Sequence, residues 1–408
     1  MLFMRQRSAM EFFRTYPNVL IICIGVFIAM LGFGMIFPLF PLFAEQFGAT
    51  AAQIGLITSI FALTRTVLAT PFGAVSDRYG RKRLIITGFL FYAVVMSAFA
   101  FSQSVAHLFL FRGLQGVASA MVWPSAQAII ADSTRPKDRG RAMSYFSAAW
   151  QVSLIVSPAF GGFLAELYDF RTPFLIAGVV MVPITVLIHR NVTETIKGTI
   201  TILSAPEPVR RRLKSYVREI RESVHFVTLM GLLSATFIST FGLMLINPLI
   251  PLYAQAKVGA TVLQITLIYT VMGITGTLSR IYAGSIIDRM GRKIPILLGN
   301  IWASLLTFPM IIIQTPVQMI GVLAARSGGL GISDPATQTL LSDIVDENKR
   351  GKIFGLYTTV SGIALILGPT MGGALYEVYG GELSFGICGV LTLLASCILY
   401  FLISEPTA

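Results

Sequence analysis

Three arginines, Arg65, Arg112 and Arg326, and one aspartate, Asp334, fall deep inside long apolar runs of a 408-residue chain that is 55% hydrophobic and only 12% charged. An arginine at the centre of a membrane helix costs about 2.5–3.5 kcal/mol on insertion scales, so such residues are read first as functional. A carboxylate whose surroundings change can take up and release a proton, and a buried guanidinium can hold an anion. Arg112, Gln115, Ser119 and Trp123 recur at spacings of 3, 4 and 4, which puts them on one helical face; Ser144, Ser147 and Gln151 do the same on the next run. Two readings of these stripes stay open: they line a water-filled substrate and proton cavity, or they are hydrogen-bonding glue between helices. Asp334 precedes Pro335, so proton carrier and helix kink are both open for it. Arg280 lies about two turns from a helix end and reads as a snorkelling side chain.

The second chemical feature is a charge-dense decapeptide written twice. "GAVSDRYGRK" spans 73–82 and "GSIIDRMGRK" spans 284–293, an offset of 211 residues. The same offset aligns the chain with itself without a gap from 48 to 168, bringing Pro124 onto Pro335, Asp132 onto Asp343 and Pro158 onto Pro369. In the first copy, Gly80 is placed for a tight turn, Asp77 sits at a helix end where it can meet the N-terminus of a neighbouring helix, and Gly73 allows that approach. Arg78, Arg81 and Lys82 can reach acids such as Asp132.

These residues must be positioned by helices. Soluble domains average about 25% charged residues, and half that value across this length indicates a polytopic membrane protein. Twelve apolar runs of about spanning length are expected: 18–44, 51–76, 84–103, 106–131, 142–167, 172–189, 225–254, 261–287, 294–314, 317–343, 352–378 and 383–403. They lack the period-two alternation of a membrane barrel. The first run is too long for a signal core and reads as an uncleaved span. The expected organisation is a six-helix bundle at 1–189, a central cytoplasmic loop at 190–224 and a second six-helix bundle at 225–408. Within the loop, Val209, Leu213, Val217, Ile220 and Val224 share a helical face, giving either a helix on the membrane surface or a solvated linker.

The net charge of +12 reflects topology more than nucleic-acid binding. Of the Lys and Arg outside the spans, all but Arg171 and Lys257 fall in the N-terminus and the even-numbered loops, which places both termini in the cytoplasm. Cys23, Cys388 and Cys397 lie in separate runs and read as packing residues; no metal cluster or cofactor is expected. Three scattered histidines and no phosphate loop argue against a membrane enzyme or direct ATP driving.

The repeated decapeptide resembles the signature loop of the major facilitator superfamily, and twelve spans in a 6 + 6 duplication extend the resemblance over the whole chain. "FRGLQGVASA" (111–120) is similar to the Arg-x-x-Gln-Gly motif of the twelve-helix drug:proton antiporters, and "SLIVSPAFGG" (153–162) to their antiporter motif. The chain departs from the latter by having Ser153 and Ser157 where the family has Gly, whereas "ALILGPTMGG" (364–373) keeps Gly368-Pro369. The resemblance implies an all-α integral membrane fold of two pseudo-symmetric six-helix bundles. It implies a cytoplasmic gating latch of Gly73, Asp77, Arg78, Gly80, Arg81, Lys82 and Asp132, with Gly284, Asp288, Arg289, Gly291, Arg292, Lys293 and Asp343 as the second copy. It also implies helix packing at Ser157, Pro158, Gly161, Gly162, Gly368, Pro369, Gly372 and Gly373. Drug antiporters of this kind often carry an acid in the first or fourth span; here the first has none between Tyr16 and Glu45. The function expected is alternating-access, proton-coupled efflux of amphipathic small molecules by a monomer among membrane lipids. A carrier of an organic anion, sugar or lysolipid is the alternative.

Overall fold

The computed structural model describes residues 9–196, 226–345 and 349–403. The loop helix expected over 209–224 lies outside them. The first half contains α1 (Ala9–Thr15), α2 (Pro17–Ile36), α3 (Phe40–Glu45), α4 (Ala51–Tyr79), α5 (Arg81–Ala100), α6 (Val105–Ser133), α7 (Pro136–Leu167) and α8 (Thr172–Asn191). The second contains α9 (Phe226–Ile246), a 3₁₀ turn at Asn247–Leu249, α10 (Ile250–Val258), α11 (Val262–Met290), α12 (Lys293–Leu305), a 3₁₀ turn at Phe308–Ile311, α13 (Pro316–Asp343), α14 (Arg350–Tyr379) and α15 (Gly381–Leu402).

Eleven segments among the described residues are long and apolar enough to cross a membrane. The expected tenth span, α13, has the length, at 28 residues, but its Gly, Ser, Arg and Asp content lowers its hydropathy. It is packed against α11 and α12. A helix of this length rises about 42 Å, enough to span, which makes twelve among the described residues.

Helix starts follow local chemistry. Thr261 accepts from the Gln264 amide while Gln264 reaches back to the Thr261 backbone, and Thr315 with Gln318 repeats this capping box. Thr50 and Gln53, at the same offset of 211 from the first pair, exchange the same two bonds. Gly80 and Gly291, with φ of 106° and 77°, make the left-handed breaks between α4 and α5 and between α11 and α12.

The chain forms two compact units, Met1–Phe40 with Leu63–Thr201, and Pro41–Ala62 with Ile202–Ala408. Pro41–Ala62, assigned by sequence to the first bundle, therefore groups with the second. Its reason is contact with α14: a Cβ on Gly55 or Gly373 would strike the backbone of Pro369 or Ala51–Ala52, Thr370 donates to Ser59 at 2.8 Å, and the Ala52 amide donates to Glu377 at 3.0 Å.

In unit 1, α2 packs on α7 and α8, and α5 on α6 and α8. Phe40, Phe99 and Phe174, all fully buried, join these layers. In unit 2, α9 packs on α14 and α15, and α12 on α13 and α15, around Leu229, Ile296, Leu340 and Leu399. The two antiporter-like motifs perform one packing role. At Gly161 a Cβ would lie 2.7 Å from the Met35 Cα, and at Gly372 it would lie 2.6 Å from the Leu245 Cα, so the α2–α7 and α9–α14 backbones meet at small residues. Gly368 likewise abuts Met244, and Ser157 abuts Gly34, while Ser153 bonds the Phe27 carbonyl at 2.5 Å. Pro158, Gly162 and Pro369 are buried in the same helices.

Candidate functional site

Around the first signature loop, Arg81 is the hub. Its guanidinium pairs with Asp132, donates to the Ala128 carbonyl at 2.7 Å and meets Asp77 at 3.2 Å. The Gly80 turn aims this side chain back across α6. A participant that sequence reasoning missed is Glu194: its carboxylate accepts from the Arg81 amide at 3.0 Å and the Lys82 amide at 3.1 Å, capping α5. Glu194 is held close by the residue before it, since Asn18 donates to the Thr193 hydroxyl and accepts from the Thr193 amide. Nothing in local sequence flags this, because Glu194 is more than 110 residues from the amides it caps.

The second loop repeats part of the scheme. Arg292 pairs with Asp343 at 2.9 Å, the counterpart of Arg81 with Asp132. Lys293 donates to the Ile403 carbonyl at the end of α15 and lies over the Tyr400 ring, adding a cation where the helix dipole favours one. Arg78 lies over Tyr79; Asp288 and Arg289 are exposed in the last turns of α11. The role given to Gly73 is corrected: a Cβ there, or on Gly284, meets nothing within 4 Å, so neither position makes a close approach.

The cavity expected at the polar stripe also needs correction. Arg112, Gln115 and Ser119 are 4%, 0% and 2% exposed, closed inside unit 1. Arg112 donates to Gln115 at 2.6 Å and stacks on Phe40, while Gln115 donates to the Tyr92 hydroxyl at 3.1 Å. This is the interhelical glue of the two readings; spacing of 3, 4 and 4 defines a face, and Tyr92 on α5 supplies what that face meets. Trp123 is buried against Trp150 and Phe146. Arg65 and Gln151 are half-buried on α4 and α7. Arg326, which the 211-residue offset puts at the place of Gln115, is 3% exposed and donates to Thr307 at 2.9 Å and the Cys388 sulfur at 3.7 Å. It too is closed inside its unit.

Asp334 of α13 lines a small cleft within unit 2, partly open to solvent, together with Thr236, Ser239 and Thr240 of α9, Asn300 of α12 and Tyr357 of α14, among others. Arg280 of α11 meets Asp334 at 2.9 Å. The snorkelling role of Arg280 is thus replaced by an ion pair. The 211-residue offset maps Asp334, Asn300, Tyr357 and Arg280 onto Trp123, Phe89, Phe146 and Ala69. In unit 1 Trp123, Phe89 and Phe146 are packed aromatic side chains, so the lining groups of this cleft are not repeated there. The arrangement offers a carboxylate, a guanidinium and neutral hydrogen-bonding groups against an apolar wall. It has the chemistry to bind a small molecule and to exchange a proton.

The sequence model of the Major Facilitator Superfamily matches residues 22–233 and 232–408. The chain belongs to the Major Facilitator Superfamily. This facilitator is a multi-pass membrane protein of a family of transporters. It is 28% identical over 366 residues to multidrug resistance protein 1 of Bacillus subtilis, covering 88% of this chain and 89% of that one. It is 25% identical over 367 residues to quinolone resistance protein NorA of Staphylococcus aureus, covering 89% and 90%. A bacterial homologue of the human lysosomal transporter Spinster, solved inward-facing and unoccupied, superposes with a TM-score of 0.76 at 17% identity over 95% of this chain and 96% of that one, a likeness of fold.

Proposed function

We propose that this facilitator is a proton-coupled exporter of amphipathic small molecules, of the multidrug type, working by alternating access as a monomer in a lipid bilayer. The observation that carries the reading is Asp334: an acid within a spanning helix, facing a polar cleft, with the Arg280 guanidinium as its partner. A coupling carboxylate needs access to both substrate and water, which this position supplies. Relatives named for multidrug resistance, aligned over nearly nine-tenths of the chain, support efflux over uptake. The signature loops act as gating elements at the cytoplasmic side, where the clustering of Lys and Arg supports placing both termini. The cell membrane is the proposed location.

The test is substrate-dependent proton movement in inverted membrane vesicles, screened over cationic, neutral and anionic amphiphiles. The wild type is expected to release protons from the vesicle lumen on substrate addition, and Asp334→Asn to abolish that release. Flux in the wild type that is indifferent to the proton gradient would overturn the coupling.

A further inference from the structure

Asp334 in the cleft of unit 2 is in contact with Arg280, a guanidinium beside the lining, and this pairing of opposite charges narrows what binds there. Asp334 and Arg280 meet at 2.9 Å with side chains 50% and 42% exposed, so either pole is open to a ligand. Facing Asp334 are Arg280 from α11, the phenol of Tyr357 from α14 and the amide of Asn300 from α12. On α13 itself, Ser333 and Thr337 flank it, and both already donate their hydroxyl protons to helix carbonyls. What they turn to the cleft is lone pairs, suited to the N–H groups of a cationic ligand.

A simple cation on Asp334 shares the carboxylate with Arg280 and brings a like charge beside the guanidinium. A simple anion on Arg280 likewise crowds the Asp334 carboxylate. The like-charge contact is the unfavourable step in both cases. A zwitterion avoids it, setting each of its charges beside the opposite one. We infer that the unit 2 cleft binds a zwitterionic amphiphile, its cationic group on Asp334, its anionic group on the adjacent Arg280 and its apolar body against Leu243 and Leu330. The inference rests on the cleft being the substrate site of the efflux reading, and goes on to name the ligand class. Trp123 and Phe146 stand at the matching sequence positions of unit 1, so among the described residues the pairing of Asp334 with Arg280 is not repeated there.

The probes are 2-naphthylalanine, its methyl ester and its N-acetyl derivative, a zwitterion, a cation and an anion on one aromatic body. Binding is measured by naphthyl fluorescence to the full-length protein in lipid nanodiscs. The wild type is expected to bind the zwitterion about tenfold more tightly than either singly charged form, in keeping with the loss of one charge-assisted contact. Arg280→Gln is expected to shift preference to the ester, and Asp334→Asn to the N-acetyl form. The double exchange, Arg280→Asp with Asp334→Arg, is expected to restore the zwitterion preference, which a merely misfolded single variant would not allow. Wild type that binds the three forms alike, or none of them, overturns the inference, as do single variants that weaken all three forms equally. Export of a cationic dye by wild type lacking the zwitterion preference would sink this inference and leave the efflux reading standing. The crossed preferences without gradient-driven export would support the zwitterion site and sink the efflux reading.

Discussion

Glu194→Ala removes the cap of α5, and the structure allows the cost to be worked. Two amide bonds, from Arg81 at 3.0 Å and Lys82 at 3.1 Å, lose their acceptor. Replacing a capping acceptor with Ala costs about 0.5–2 kcal/mol, and removing a carboxylate from a helix N-terminus costs about 0.3–1 kcal/mol more. The sum is about 1–3 kcal/mol of local stability in the first turn of α5, or about a fivefold to 150-fold loss of hydrogen-exchange protection. The assay is exchange at the amides of residues 81–84 by mass spectrometry, in nanodiscs, with α12 as the internal reference. Glu194→Gln keeps one neutral acceptor and should fall between wild type and Ala. Protection at 81–84 that is unchanged in Glu194→Ala would refute the capping argument. Because the same turn carries Arg81 toward Asp132, the variant should also lower transport in any assay that the wild type supports.

Gln115→Leu takes a buried acceptor from Arg112 and should destabilise by about 1–3 kcal/mol, whereas Arg112→Met with Gln115→Leu should recover part of that loss, as read by thermal unfolding in detergent. Gly372→Ala forces a Cβ onto the Leu245 backbone, so overpacking of about 1–3 kcal/mol is expected, while Gly73→Ala, with open space around it, should leave unfolding unchanged. Asp169 accepts from the Thr172 hydroxyl and from the Thr172 and Arg171 amides, and these bonds hold its carboxyl below the ordinary 3.8. A depressed carboxylate stabilises above its unfolded value, and the contribution is lost as pH falls through the folded one. The stability difference between wild type and Asp169→Asn should therefore shrink below about pH 4.

Much of this protein was legible from composition and repetition. An apolar run of about 20 residues has few options in lipid other than a helix, because its amides must pair internally. The observed helices accordingly follow the expected spans: 261–287 is α11, Val262–Met290, and 142–167 lies within α7, Pro136–Leu167. The offset of 211 residues puts Arg292 and Asp343 where Arg81 and Asp132 stand, and the two pairs form alike, since like sequence on like helices puts like groups in reach; which of Arg78, Arg81 and Lys82 would meet Asp132 was left to the structure. Small residues at 157, 161, 368 and 372 marked close helix contacts for the same reason, as backbones approach where side chains are absent.

Periodicity names a face but not its neighbour, and that was left to tertiary structure. Arg112 and Gln115 turned inward because Tyr92 and Phe40 arrive from other helices. Arg280 and Asp334 are 54 residues apart, and their pairing exists only because α11 lies against α13. Glu194 caps a helix that begins 113 residues earlier, through a fold-back anchored by Asn18. The polar hollow in one unit, set against the packed aromatics at matching positions in the other, follows from side-chain volumes meeting across several helices at once. No one-dimensional pattern encodes such a sum; close packing of the folded chain does.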